Sequence, residues 1–312
     1  MKNFIYIIFF TFIYSEDKIW PTNASNTVTT TFAEERPYRY HSGIDVRTYG
    51  KNGFELYAID DSYISRIRTS SKGYGKTIYL KLEDGYTAVY AHMETFTPKV
   101  NKIVSKLQKQ YNNYTIDHFF SKDEIIFKKG ALIGYTGDTG TISGPHLHFE
   151  IRNERGNPIN PLSYGMDFKD TMSPIPISIA FIPKNSSTLI DGYNHYILKN
   201  FKRTEPDVYT MIDTLSIVGD FNIALNVVDK VDGQPFTYGV YSIDLFIDDE
   251  LLYAIAYDEY DFSESNLIYE ERDLALKVNG HGKFYRLFPN QYTQNLSFIK
   301  KASEILLSSN DK

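Results

Sequence analysis

The sequence predicts a mainly β fold of antiparallel sheets, divided between two domains. Its 312 residues exceed the length of one average domain. Tyrosine and phenylalanine are abundant, with 26 and 21 residues, while alanine is scarce, a composition that favours pleated, half-buried surfaces over long helices. Short runs of β-forming residues recur in both halves of the chain, with turn-forming residues between them. We expect a first domain at 16–165, a linker at 166–176 and a second domain at 177–312.

The first 15 residues have the pattern of a signal peptide. Lys2 gives a short positive start, and the uncharged apolar run from Phe4 to Tyr14 is shorter than the ~20 residues of a membrane-spanning helix. Ile13 and Ser15 make a poor cleavage site, so an uncleaved anchor and a buried strand are the alternatives. We expect an exported protein of the periplasm, the cell envelope or the extracellular space, without a stable transmembrane span.

Charge and cysteine content limit the kinds of metal site and partner that the chain can have. The chain has no cysteine, which excludes disulfides, thiolate metal sites and lipid attachment through cysteine. Any metal must therefore be held by histidine and carboxylate. The formal charge of -6 offers no positive field to a phosphate backbone, so nucleic acid is not an expected partner.

Local patterns predict the elements of the first domain. The polar, Thr-rich segment 23–36 is expected to be an extended lead-in rather than a packed element. Residues 56–93 predict a small antiparallel meander with a two-residue turn at Asp84-Gly85. Strand patterns return in ALIGYTG, residues 131–137, and in HLHFEIR, residues 146–152.

An insertion at about 98–129 interrupts these strands. Val100, Ile103, Val104 and Leu107 have helical spacing, so the insertion is expected to carry one short helix. Its expected place is either the edge of the site or the outside of the domain.

The second domain is predicted to be an immunoglobulin-like β-sandwich. Apolar and polar residues alternate in three runs, at 177–181, 221–227 and 241–247, as in strands that cover a core on one face. The final segment, 296–312, offers no obvious closing strand pair. Either the sequence stops before the domain ends, or this segment is a helix.

Most of the candidate catalytic and metal-binding residues are histidines. His146 and His148 are two residues apart on a predicted strand, so their rings share one face, although an H-x-H pair alone is weak evidence for a site. His41 and Asp45 bracket a glycine that permits a tight turn, and imidazole and carboxylate are both zinc ligands. His92 ends a predicted strand, a rigid place for a general base or an oxyanion donor.

The other three histidines are not expected to belong to this group. His118, His195 and His281 are expected to be surface or packing residues. Glu150 follows His148 on the same strand face, and it either orients that ring by a hydrogen bond or is an ordinary strand carboxylate.

Together these patterns resemble a known family. The H-x3-D of His41 and Asp45, the Tyr-x-His that ends at His92, and the G-x-x-G followed by GPHLHFE resemble the M23 zinc endopeptidases, the lysostaphin and LytM type of peptidoglycan hydrolase. The resemblance covers roughly Trp20 to Tyr164. It implies an antiparallel β-sheet catalytic domain of the LytM kind, a Zn²⁺ cofactor, and the peptide cross-links of bacterial peptidoglycan as the substrate.

The resemblance also implies roles for five residues. His41, Asp45 and His148 would be the zinc ligands, and His92 and His146 would be catalytic histidines that do not bind the metal. The resemblance leaves open which of these two moves the proton and which stabilises the oxyanion.

None of the five positions is replaced, in contrast to degenerate family members that act only as activators. The insertion departs from the family and leaves an alternative, a non-hydrolytic wall-binding or activator protein whose groove the insertion blocks.

Three further sequence motifs are not expected to be binding sites. YGKT at 74–77 ends like a phosphate-binding loop, but Ser70 replaces the required glycine and the context is a hairpin, so a turn is expected. The acidic run 257–266 lacks the calcium-loop spacing and is expected to be a solvated loop. A cupin-like metal site would need a glutamate where Arg152 and Asn153 stand, and it would leave His41 and Asp45 unexplained.

Overall fold

The computed structural model describes residues 18–122, 124–166 and 170–303. The predicted signal peptide at 1–15 lies outside the described residues, as do residues 304–312. All strand pairings of the described sheets are antiparallel, which confirms the mainly β prediction. Among these residues no helix combines the length and the apolar character needed to cross a membrane.

The N-terminal half contains fourteen of the described strands and one long helix. The strands are β1 (Val28–Thr30), β2 (Glu35–Arg36), β3 (Arg39–Tyr40), β4 (Ile44–Arg47), β5 (Glu55–Tyr57), β6 (Ser62–Thr69), β7 (Thr77–Leu82), β8 (Thr87–Ala91), β9 (Met93–Phe96), β10 (Ile116–Phe119), β11 (Ile126–Phe127), β12 (Leu132–Thr136), β13 (His146–Arg152) and β14 (Pro158–Ile159). Helix α1 spans Pro98–Tyr111, and a 3-10 helix spans Pro161–Tyr164. The main sheet has the order β1-β4-β13-β8-β7-β6-β10, and β5-β12-β9 form a smaller sheet.

The main sheet has a core face and a site face because apolar and polar side chains alternate along β13. Leu147, Phe149 and Ile151 are fully buried in the first hydrophobic core. The residues between them, His146, His148 and Glu150, point to the opposite face. On the neighbouring strand β4, Ile44 and Val46 take the core face in the same way, which leaves Asp45 and Arg47 on the site face.

The insertion lies away from the site face. Helix α1 starts with Pro98 at its first turn and ends at Tyr111, and the C-cap residue Asn112 adopts the left-handed conformation. Val100 and Val104 are buried in the first core, so the helix packs on the core side of the sheet. Strands β10 and β11 extend the sheet beyond β6, at the edge far from β4 and β13. The single helix is confirmed, and of the two expected places the structure has the outer one.

Two expectations for the N-terminal half are wrong. Residues 23–36 are not an unpacked lead-in, because β1 pairs with β4 and both Val28 and Phe32 are buried. The β7–β8 hairpin has a three-residue loop rather than a two-residue turn: Leu82 N–H donates to the carbonyl of Tyr86 at 2.9 Å. Gly85, with φ +87°, supplies the left-handed residue that such a loop requires.

The C-terminal half contains the remaining described strands and two short helices. The strands are β15 (Ile175–Pro183), β16 (Leu189–Ile190), β17 (Ile197–Glu205), β18 (Val208–Met211), β19 (Ile217–Val218), β20 (Phe221–Val228), β21 (Ser242–Ile247), β22 (Glu250–Ala256), β23 (Tyr285–Arg286) and β24 (Ile299–Ala302). Helices α2 and α3 span Ile268–Glu271 and Leu274–Val278. One sheet has the order β18-β17-β15-β20-β23 and another has β21-β22-β24.

These two sheets pack into one core. Ile223 and Val227 from β20 belong to the same buried cluster as Tyr253 and Ile255 from β22. A sandwich of two packed sheets is therefore confirmed, and the immunoglobulin-like topology stays a prediction.

Several details of the second half differ from expectation. Strand β15 begins at Ile175, inside the predicted linker, and Ile177 is 43% exposed rather than a core residue. β24 pairs with β22, so residues 299–302 do provide a closing strand. The acidic run is not a solvated loop, because Tyr257 and Tyr260 are buried and a 3-10 helix begins at Phe262.

The two halves share buried clusters. Phe32 and Tyr40 from the N-terminal half belong to the core of the sandwich, and Tyr238 from the C-terminal half belongs to the first core. The hydroxyl of Tyr238 donates to the carbonyl of Val28 at 2.7 Å. The ring of Tyr40 lies 5.2 Å from that of Phe298. The residue that precedes His41 is therefore held by the C-terminal half.

Candidate metal centre

Three side-chain atoms converge at the site face. Nε2 of His41 lies 3.1 Å from Oδ1 of Asp45 and 3.1 Å from Nδ1 of His148. Nδ1 of His148 lies 2.9 Å from the same Asp45 oxygen. All three residues are buried, and they form a group whose ligand atoms could hold one metal ion.

Strand pairing and one glycine place these atoms. Asp45 on β4 lies directly opposite His148 on β13, so both side chains rise from the same face. Gly43, in the turn before β4, lies against the carbonyl oxygen of Phe149, and a Cβ at this position would collide with that oxygen. Nδ1 of His41 lies 2.8 Å from the carbonyl of Thr31. With that nitrogen donating, the Nε2 lone pair of His41 is directed at the group.

The donor set fits zinc. Tetrahedral coordination at Zn–N distances of 2.0–2.1 Å sets the ligand atoms about 3.3 Å apart. The three observed separations are close to this value. Two imidazoles and one carboxylate leave a fourth position open, as in catalytic zinc sites.

The local charges also favour a cation at this point. Burial alone would lower the pKa of His148, but hydrogen bonds to Asp45 and Glu150 and their negative charges raise it to about 9. The pKa of Asp45 lies well below its ordinary value: burial opposes this, but the charge of His41 and the hydrogen bond from His148 prevail. Arg36 forms an ion pair with Oδ2 of Asp45, which leaves Oδ1 for the converging group.

Glu150 holds the outer nitrogen of His148. Nε2 of His148 lies 2.8 Å from Oε1 of Glu150, which is fully buried. That oxygen also accepts from Ser42 at 2.6 Å and from Tyr74, and Arg152 donates to Oε2 at 2.7 Å. Glu150 is thus bonded to the ring of His148 and to three further side chains.

His92 and His146 lie beside the group with matching orientations. Nδ1 of His92 lies 2.9 Å from the carbonyl of Thr139, and Nδ1 of His146 lies 2.9 Å from the carbonyl of Gly144. When these nitrogens donate, each ring presents Nε2 as its free nitrogen. Nε2 of His146 lies 3.6 Å from Oδ1 of Asp45. The two ring centroids are 4.9 Å apart, so both rings can act on one bound group.

The backbone of His92 is unusual. Its φ of +58° lies in the left-handed region that non-glycine residues rarely adopt. The backbone N–H of His92 donates to the carbonyl of Tyr74 at 2.9 Å. Burial lowers the pKa of His92 below its ordinary value. The ring is therefore neutral at pH 7.

One cavity contains all five predicted residues. Its volume is about 1190 Å³, and His41, Asp45, His92, His146 and His148 all line it. None of the described residues of the insertion lines this cavity.

The three other histidines lie elsewhere. His118 on β10 packs edge-on against Phe120, and Nε2 of His281 lies 2.9 Å from the hydroxyl of Tyr196. His195 hydrogen-bonds the backbone of its neighbour. None of the three lines the cavity, as predicted.

Several residues around the group were not predicted. Ser42, Tyr74 and Arg152 surround Glu150, Arg36 pairs with Asp45, and Thr139 holds His92. Tyr74 lies in the YGKT turn, which is a turn as predicted but also brings a hydroxyl into the site. Arg152 follows Glu150 by two residues on the same strand face, a spacing that could have identified it. The contacts of Ser42 and Tyr74 with Glu150 and of Thr139 with His92 join distant segments and leave no local pattern.

Comparison with known proteins identifies related sequences. Residues 39–109 and 114–161 match the family profile described as Peptidase family M23. The DD-carboxypeptidase/endopeptidase Mpg of Neisseria meningitidis serogroup B (strain ATCC 13091 / M2091) is 30% identical over 129 residues, which are 41% of this chain and 24% of Mpg. The murein hydrolase activator NlpD of Escherichia coli (strain K12) is 30% identical over 145 residues, which are 46% of this chain and 30% of NlpD.

A solved structure is similar over part of the chain. The zinc containing peptidase from Vibrio cholerae is 21% identical, with a TM-score of 0.35, covering 49% of this chain and 40% of that one. The chain thus spans less than a third of the length of Mpg and of NlpD.

Proposed function

We propose that this chain is a zinc metalloendopeptidase that hydrolyses the peptide cross-links of bacterial peptidoglycan, because residues 39–109 and 114–161 match the profile of peptidase family M23. The observation that carries this proposal is the convergence of His41, Asp45 and His148, with His92 and His146 facing the same cavity. The names of two relatives, a DD-carboxypeptidase/endopeptidase and a murein hydrolase activator, support a substrate in the cell wall.

The proposed metal ligands are the three converging atoms. Nε2 of His41, Oδ1 of Asp45 and Nδ1 of His148 would hold the ion. A zinc ion bound there supplies positive charge that polarises a peptide carbonyl and makes a water molecule more acidic. Glu150 accepts a hydrogen bond from Nε2 of His148, which fixes the ring with Nδ1 towards the metal.

The proposed proton-transfer groups are His92 and His146. Each ring donates through Nδ1 to a backbone carbonyl, which fixes its tautomer and leaves Nε2 able to accept a proton. Once protonated, the same nitrogen can donate to the leaving amine or to an oxyanion. The buried position of His92 and its left-handed backbone favour a ring fixed in place before substrate binds.

A second candidate is an activator that binds the cell wall without hydrolysing it. The likeness to NlpD is the observation that favours it. Against it stand the complete set of five residues and the cavity free of described insertion residues. The hydrolase is therefore the proposal that the geometry supports better.

Dye release from labelled sacculi tests this choice. Zinc-loaded wild-type protein is expected to release dye, and His148→Ala is expected to lose both near-stoichiometric zinc and dye release. His118→Ala is the matched control, because this histidine lies outside the cavity, and it should retain both. A folded, zinc-loaded wild-type protein that releases no dye but stimulates a second wall hydrolase would establish the activator instead.

We also propose that the chain is exported. A cell-wall substrate lies outside the cytoplasm, and the predicted signal peptide at 1–15 would direct the chain there. Fractionation of cells that express the full chain, followed by N-terminal sequencing, should find the protein in the envelope or the medium. Recovery from the cytoplasm alone would contradict export.

A further inference from the structure

One wall of the cavity is rich in arginine. Arg36, Arg39 and Arg47 line it, and Asp45 is the single carboxylate residue among the described lining residues. Asp45 already pairs with Arg36 and is a proposed metal ligand, so its charge does not cancel that of Arg39 or Arg47. The local excess of positive charge is notable because the whole chain has a formal charge of -6. A cavity lined in this way attracts anionic ligands.

Arg47 is placed by the same strand pairing as the metal ligands. It ends β4 and lies directly opposite His146 on β13, so its side chain leaves the sheet on the site face. Its guanidinium carbon lies 4.6 Å from the ring centroid of Tyr49 and 5.4 Å from that of Phe236. The C-terminal half, which contributes Phe236, therefore helps to position a residue of the cavity.

The guanidinium group of Arg47 is held without using its hydrogen-bond donors. Stacking on aromatic rings restrains the plane of the group but leaves its N–H groups directed outwards. Within residues 18–122, 124–166 and 170–303 these N–H groups have no hydrogen bond and no ion pair, and the same is true of the exposed Arg39. Arg36 differs, because Asp45 neutralises it. Arg47 thus offers the planar fork that binds a carboxylate through two hydrogen bonds.

We propose that Arg47, assisted by Arg39, forms a carboxylate-binding subsite that selects peptides with a free carboxylate close to the bond that is cleaved. This inference rests on the proposed hydrolase function. Arg47 is two residues from Asp45 along β4, a separation of about 7 Å. Successive residues of an extended peptide are about 3.5 Å apart. The carboxylate therefore lies one or two residues from the cleaved bond.

Such a carboxylate has two possible sources, a chain terminus and an acidic side chain. Two pairs of soluble peptidoglycan stem peptides separate them. The first pair differs only in a free or amidated C-terminal carboxylate. The second pair has an amidated C-terminus and differs only in a free or amidated side-chain carboxylate. Each pair is measured for hydrolysis, as kcat and KM, and for binding, as Kd by fluorescence anisotropy of a labelled peptide.

The variants isolate the guanidinium group. Arg47→Gln removes the charge, Arg47→Lys keeps the charge but loses the fork and the stacking, and Arg203→Gln is a control at an exposed arginine outside the cavity. In wild-type protein the free-acid peptide of at least one pair should have a KM and Kd about tenfold or more below those of its amide. Arg47→Gln should reduce this ratio to within about twofold, mainly by weakening the free acid, and Arg47→Lys should lie between. Arg203→Gln should keep the wild-type ratio.

The outcomes separate this inference from the proposed function. The carboxylate subsite is overturned if the amide and the free acid of both pairs have nearly equal KM and Kd in wild-type protein. It is also overturned if Arg47→Gln keeps the wild-type ratio, even if the peptides are cleaved. An Arg47-dependent ratio in Kd without any hydrolysis supports the subsite and overturns the hydrolase. Because each ratio is measured within one protein, a partial loss of folded protein in a variant cancels.

Discussion

At the scale of single residues, the centre depends on how His148 is held from both sides. Its Nδ1 faces Asp45 and His41, and its Nε2 faces Glu150. Glu150 in turn is fixed by Arg152, which donates to its second oxygen at 2.7 Å. A buried carboxylate in such a network orients the ring and strengthens the ligand nitrogen. The candidate centre therefore includes residues outside the converging group of His41, Asp45 and His148.

Glu150→Gln tests this orienting contact. The substitution removes the negative charge and leaves the partly buried Arg152 without its ion-pair partner, so zinc affinity should fall about 10- to 100-fold. Competition with a chromophoric chelator measures the change. Glu154→Gln, at an exposed glutamate on the turn after β13, is the control and should bind zinc as wild type does. Unchanged affinity in folded Glu150→Gln would show that the contact does not support the metal.

At the scale of elements, the segment that follows β20 packs against the N-terminal half. Asp229 comes directly after that strand and pairs through its backbone with Tyr238, whose hydroxyl reaches Val28 of the N-terminal half. Burial, reinforced by the nearby charge of Asp170, raises the pKa of Asp229 to about 6. The carboxylate form is thus less favourable in the folded protein than in the unfolded chain.

This shift predicts a pH-dependent stability. The folded state binds the Asp229 proton more tightly than the unfolded state, whose pKa is about 3.9. The free energy of unfolding should therefore fall as pH rises from about 4 through 6, by an Asp229 contribution of about 1–2 kcal/mol. Asp229→Asn, which keeps the acceptor for the N–H of Lys230, should lack this contribution. Urea unfolding at pH 4.5 and pH 7 measures both proteins, and an identical pH dependence in the two would contradict the prediction.

Sequence patterns predicted the elements whose buried face can be read from the residues of the element itself. Strand β13 and helix α1 were predicted because alternation in one and helical spacing in the other reflect a single buried face. Strand β1 was missed, because a short Thr-rich segment becomes a strand only when β4 lies beside it. The five histidine and carboxylate positions were predicted from spacing and resemblance. Tyr74 was not, since its contact with Glu150 joins residues 76 positions apart.

At the scale of the whole molecule, the two halves form one packed body. Tyr40, directly before His41, is buried against Tyr260 and Phe298 of the C-terminal half. The hydroxyl of Tyr260 donates to the carbonyl of Tyr40 at 3.3 Å. Phe236 from the same half stacks on Arg47 of the cavity. The C-terminal half thus supports the metal centre as well as its own core.

This shared packing predicts cooperative unfolding. Calorimetry should show one transition for both halves, because separating them exposes buried aromatic surface. Phe298→Ala should lower the free energy of unfolding by about 3–5 kcal/mol, since this side chain is fully buried, and should shift the transition without splitting it. Tyr292→Ala, at a ring that is 55% exposed, is the control and should change stability little. Two separate transitions in the wild-type protein would show that the halves fold independently.

We propose that the five residues lining the cavity make this chain a zinc-dependent peptide hydrolase. The most direct test of this proposal is mass spectrometry of the soluble fragments released from purified peptidoglycan by the zinc-loaded protein, beside His148→Ala and His118→Ala. We expect fragments with newly formed peptide termini from wild type and from His118→Ala, and none from His148→Ala. Intact cross-links after incubation with a folded wild-type protein that carries one zinc ion per chain would contradict it.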